Sequence, residues 1–113
     1  MKIILTTTSP DIDSDVDRRF GRGAFFLVVD TDTLEWKAHP NPGVSASGGA
    51  GTLAAQFAAD QGAEAAISGD FGPNAQSALS AAGIAMHLLG ASRTAKEAVE
   101  HFNAGRLAPA RPG

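Results

Sequence analysis

The 113-residue chain has no cysteine. That absence excludes disulfides, thiolate nucleophiles and thiolate metal ligands together. Positive charge is also short: nine Lys and Arg stand against twelve Asp and Glu, a net charge of −3. On that balance neither nucleic acid nor an anionic membrane is expected as a partner. No apolar run reaches membrane-spanning length. The opening Met1-Lys2-Ile3-Ile4-Leu5-Thr6 holds one lysine and a short apolar run without a cleavage-like segment. No signal peptide is expected, and the cytoplasm is the default compartment. No lysine follows the glycine-rich loop, so it is not a Walker-type phosphate loop. No nucleophile–base pair is evident, which argues against an enzyme.

What remains is a chain 43% hydrophobic and 19% charged, suited to a single core. Residues 1–106 are expected to form one α/β domain and 107–113, rich in Ala, Pro, Arg and Gly, a flexible tail. Lys2 to Thr8 reads as a strand centred on Ile3-Ile4-Leu5. Ala24 to Asp30 (Ala-Phe-Phe-Leu-Val-Val-Asp) reads as a second. Leu34 to Ala38 alternates like a half-exposed edge strand and forms a hairpin with the second. A helix opens near Gly51, with Leu53 and Phe57 at i, i+4 spacing as its apolar face, and stops at Gly62. Ala65 to Ser68, a helix from Pro73, a strand over Ile84 to Leu89 and a helix behind the capping box Thr94-Ala95-Lys96-Glu97 complete the order. Alanine-rich helices alternating with buried strands imply parallel, right-handed crossovers.

The run Ala65-Ala66-Ile67-Ser68-Gly69-Asp70-Phe71-Gly72-Pro73-Asn74-Ala75 is strand, glycine turn, helix. Such a turn aims backbone N–H groups at whatever lies beyond the strand end, which suits an anion. In this topology the loops Thr6 to Gly23, His39 to Gly51, Gly69 to Asn74 and Gly90 to Arg93 gather on one edge, where open α/β sheets bind ligands. Gly48-Gly49-Ala50-Gly51 points a second helix start at that edge. Arg19 and Arg22 can reach over it as guanidinium donors, or else neutralise Asp11, Asp13, Asp15 and Asp17 upstream. Those aspartates are no EF-hand, since the sixth and twelfth places counted from Asp11 hold Val16 and Arg22. Of the histidines, His39 lies nearest this edge and is the candidate metal ligand, while His101 is expected on the far side of its helix.

The segment Asp13-Ser14-Asp15-Val16-Asp17-Arg18-Arg19-Phe20-Gly21-Arg22-Gly23-Ala24-Phe25-Phe26-Leu27-Val28-Val29-Asp30 resembles the opening motif of the dinitrogenase iron–molybdenum cofactor biosynthesis family. Gly48-Gly49-Ala50-Gly51-Thr52 with Ala54-Ala55-Gln56, and Gly69-Asp70-Phe71-Gly72-Pro73-Asn74-Ala75, resemble its other two signatures in the same order. The likeness runs to about Gly90. It implies a three-layer α/β/α, ribonuclease-H-like fold with a mixed five-stranded sheet whose second strand is antiparallel. It implies a non-catalytic binding or carrier protein for an iron–molybdenum cofactor, a related iron–sulfur cluster or an oxyanion. A cofactor-assembly or nitrogenase-type protein is then the partner, and the expected cofactor-binding residues are Arg19, Arg22, Gly48, Gly49, Gly51, Gly69, Asp70, Gly72 and Asn74, with His39 for metal. Many relatives carry Cys where this chain has Phe71. Without thiolate, which soft clusters favour, a cluster would be cradled as an anion or held by histidine, carboxylate or hydroxyl. The alternative is a small protein-interaction domain with no such ligand.

Overall fold

Ile3, Ile4 and Leu5 are all fully buried, which requires cover on both faces of their strand, since successive side chains point opposite ways. The computed structural model, which describes residues 1–41, 43 and 49–110, supplies that cover. In chain order the elements are β1 (Lys2–Thr7), β2 (Phe25–Asp30), β3 (Trp36–Pro40), α1 (Ala50–Asp60), β4 (Ala65–Ser68), α2 (Pro73–Ala81), β5 (Ala85–Leu88) and α3 (Ala95–Asn103). The strands form one five-stranded sheet in the order β3-β2-β1-β4-β5. β2 is antiparallel to β1 and β3, and β4 is parallel to β1 and β5, as in a mixed sheet. On one face Ile4, Phe26, Val28 and Ala66 pack with Ala54 and Ala58 of α1 and Leu79 of α2. On the other, Leu5, Leu27 and Ile67 pack with Ala98 and Val99 of α3. The result is three layers.

This order sends β1, β3, β4 and β5 the same way, so the chain segments that follow Thr7, Pro40, Ser68 and Leu88 leave from one edge of the sheet. The helix stops lie where the sequence places them. Gly62 after α1 takes φ +75°, a left-handed conformation that glycine adopts at little cost.

Four expectations are corrected. Leu34 belongs to the β2–β3 turn with φ 64°, and β3 instead runs on through His39 to Pro40, which pairs with Phe25. Proline is tolerated there because β3 is an edge strand. Leu53 is 46% exposed; the face that α1 buries is Ala50, Ala54, Ala55 and Ala58, because small side chains let α1 sit close to the sheet and to α2. Residues 107–110 are not a free tail. Leu88 N–H donates to Ala108 O and Ala110 N–H to Met86 O, both at 2.9 Å, and Leu107 and Ala110 pack against the two cores. This short segment satisfies the outer edge of β5. Lastly, His101 is half-buried and its Nδ1 lies 2.6 Å from Ser92 Oγ, fastening the turn before α3.

Candidate functional site

Two helices begin at the same point of the sheet edge. Gly49, the residue before α1, is left-handed at φ 76°, and among the described residues no side chain caps this helix. Gly72 precedes α2 in an extended conformation, again with no side-chain cap, and Pro73 opens the first turn. Neither helix has an acidic residue in its first turn. The first N–H groups of each helix have no partner within the helix, and those of Ala50, Gly51, Asn74 and Ala75 have none among the described residues, which leaves them as donors at the positive ends of two helix dipoles. α3 shows the contrast. Thr94 accepts from Glu97 N–H, and the Glu97 carboxylate accepts in return from the N–H of Thr94 and of Arg93. Those two bonds, Thr94's first, hold the Glu97 carboxyl below its ordinary pKa.

The uncapped ends converge. A Cβ added at Gly51 would stand 3.0 Å from the Cβ of Ala75, so only glycine lets α1 and α2 meet this closely. Between them lies an open depression of about 230 Å³ that Arg19, Arg22, Asp70, Gly72 and Asn74 also line. Phe20, which also lines it, and Phe71 are both buried, their rings tilted by 33° with centroids 5.3 Å apart. Phe71 is thus a core residue that supports Phe20, and Phe20 lines the depression. Arg19 is brought in by a short parallel pairing with Asp70, in which Phe20 N–H donates to Asp70 O at 3.0 Å. The close approach needs Gly69, since a Cβ there would meet Arg18 O at 2.9 Å.

Of the residues singled out from sequence, Arg19, Arg22, Gly49, Gly51, Asp70, Gly72 and Asn74 come together here. Gly69 lines the neighbouring depression instead, and Gly48 lies outside the described residues. His39 is elsewhere. Strand alternation turns it toward α1, its ring meets Phe57 edge-on at 5.2 Å, and it lines a separate depression with Trp36 and Gln61. Its Nε2 is buried without a hydrogen-bond partner among the described residues. Nor do those residues include any group of three or more His, Asp or Glu able to hold a metal ion.

The arginines do not neutralise the upstream aspartates. Among the described residues no carboxylate pairs with Arg18, Arg19 or Arg22; Asp15 pairs with Arg93, at 3.5 Å. Asp11 and Asp17 accept instead from the backbone N–H groups of Asp13 and Arg19. Gly90 and Arg93, the ends of the loop that the sequence places on this edge, line that neighbouring depression. The sequence does not mark either as a binding residue.

The family model for the dinitrogenase iron-molybdenum cofactor matches residues 1–105. The chain belongs to that family. Among solved structures it is similar to the apo form of the orange protein from Desulfovibrio gigas, at 39% identity over 96% of this chain and 92% of that one, with a TM-score of 0.90. It is also similar to a Thermotoga protein described as a candidate NifB protein, at 28% identity over 99% and 98% of the two chains, TM-score 0.83. No curated protein matches the chain. No helix among the described residues is long and apolar enough to cross a membrane.

Proposed function

We propose that this family member is a non-catalytic carrier for an oxyanion or an anionic metallocluster of the iron–molybdenum type, taken up at the depression between α1 and α2 and passed to a cofactor-assembly protein. The observation that carries the reading is the convergence of two uncapped helix starts beneath Arg19 and Arg22. Every strong group there except Asp70 is a hydrogen-bond donor, and the chain holds no thiolate. The residues therefore fit a cluster enclosed as an anion and do not fit a cluster bonded through sulfur to the protein. The Asp70 carboxylate opposes an anion and limits its affinity, while its backbone builds the wall. A second reading, a protein-interaction domain, draws on exposed Leu34 and Trp36 beside a depression of about 260 Å³ near α3.

Calorimetric titration with molybdate separates anion enclosure from metal ligation. Arg22→Ala is expected to weaken binding by about 1.5 kcal/mol, the low end for hydrogen bonds to charged groups because Arg22 is exposed. His39→Ala is expected to leave it unchanged. A large loss at His39 with none at Arg22 overturns the reading.

A further inference from the structure

The segment that carries Arg19 into the proposed site also carries Arg18 away from it. Arg19 pairs with the strand end at Asp70, and the Arg18 main chain packs against Gly69, so this backbone contact parts the two side chains. Arg19 lines the α1–α2 depression. Arg18 lines a second one of about 280 Å³ on the other side of Gly69, together with Gly90, Ser92 and Arg93. Val16 and Leu89 give it an apolar floor. Its lining has two guanidiniums and no carboxylate. Arg18 has no carboxylate partner among the described residues. Glu97 accepts from the Arg93 backbone N–H, and the Arg93 guanidinium pairs with Asp15, both side chains being mostly exposed, 82% and 56%. A pair so open to water holds Arg93 weakly. Only backbone divides the depressions: the place of a Gly69 side chain is taken by the Arg18 main chain, whose carbonyl oxygen would stand 2.9 Å from a Cβ there, while a Cβ at Gly90 would meet nothing within 4 Å.

We propose that this second depression is an anion subsite, and that the two depressions together hold one elongated polyanion, charged at both ends and laid across the backbone contact of Arg18 with Gly69. Arg19 and Arg22 grip one end, Arg18 and Arg93 the other. The proposal rests on the anion reading of the first depression, and it names the ligand class as extended rather than compact.

Two probes of different length test it by calorimetry: molybdate, which fills one depression, and inorganic tripolyphosphate, which reaches both. The intact chain is expected to bind tripolyphosphate at least ten-fold more tightly than molybdate. Arg18→Ala and Arg93→Ala should each weaken tripolyphosphate roughly five-fold and leave molybdate within two-fold. Arg18→Gln repeats the measurement with most of the side-chain stem kept. Arg106→Ala, beyond the C-terminal end of α3, controls for loss of general charge. Losses at Arg18 and Arg93 no larger than at Arg106 overturn the proposal. If Arg22→Ala weakens molybdate while Arg18→Ala leaves tripolyphosphate unchanged, the second subsite falls and the first stands. If Arg18→Ala weakens tripolyphosphate and Arg22→Ala affects neither probe, the first falls and the second stands. Failure of the intact chain to bind either probe removes both.

Discussion

A side chain at Gly51 would start 3.0 Å from the Cβ of Ala75 and 3.3 Å from its backbone nitrogen. Two helices that share no turn are thereby fixed start to start, and the spacing of their free N–H groups follows from that contact. Gly51→Ala should gain helix propensity of about 1 kcal/mol but lose about 1–3 kcal/mol to overpacking. A net destabilisation near 1 kcal/mol is expected in thermal melts, together with weaker molybdate binding because the two helix starts are forced apart.

The glycines of the β4–α2 turn are not equivalent. Gly69→Ala drives a Cβ to 2.9 Å from the Arg18 carbonyl oxygen; backbone cannot swing aside, and a loss of about 2 kcal/mol or more is expected. Gly72 has φ −64° and nothing near it, so Gly72→Ala should cost only about 0.5–1 kcal/mol, as alanine is a poor N-cap. Urea denaturation of the two variants tests the ranking, and equal midpoints refute it.

Gly72→Asp should do two things at once. Its extended backbone suits an N-cap, so the carboxylate should accept from an open N–H of α2 and raise stability by a few tenths to 1 kcal/mol. The same carboxylate occupies the donors that an anion needs. A higher melting temperature with molybdate binding lost is the expected pair of results. Retained binding would show that the α2 start does not hold the ligand.

Asp70→Asn removes the carboxylate that lines the first depression and keeps the backbone that pairs with Phe20. Molybdate affinity should rise a few-fold at low ionic strength, an effect that fades as salt screens the exposed charge. Were Asp70 a direct metal ligand, affinity would fall instead.

The α3 cap sets a limit at acid pH. Hydrogen bonds from Thr94 and Arg93 depress the pKa of Glu97 in the folded chain. The stabilisation is therefore complete above the unfolded value of about 4.3 and is lost as pH falls through the lower folded value. Glu97→Gln should show a shallower acid decline of stability below about pH 4.3 than the parent chain, measured by denaturation at a series of pH values.

Features governed by neighbours in sequence are legible without coordinates. Gly62 stops α1, Thr94 and Glu97 cap α3, and Pro73 opens α2, because each answers to backbone geometry within one turn. The common edge is legible too, since crossover handedness leaves few topologies. Less accessible is what depends on contact across the fold. Leu53 fits a helical apolar stripe, yet the space against the sheet admits alanine. His39 lies near the right loop, but alternation along β3 turns it toward Phe57. Arg18 and Arg19 read as one basic patch, and only the backbone contact with Gly69 and Asp70 parts them. The segment 107–110 carries no periodic pattern, and its place comes from the open edge of β5.

That last segment also governs association. With residues 108–110 seated on β5, the sheet edge left open among the described residues is that of β3, whose final residue, Pro40, cannot donate. A molecule with one joinable side can be matched once. Two copies meeting through β3 would end each other's growth, so contact of this kind yields pairs and never an open-ended fibre.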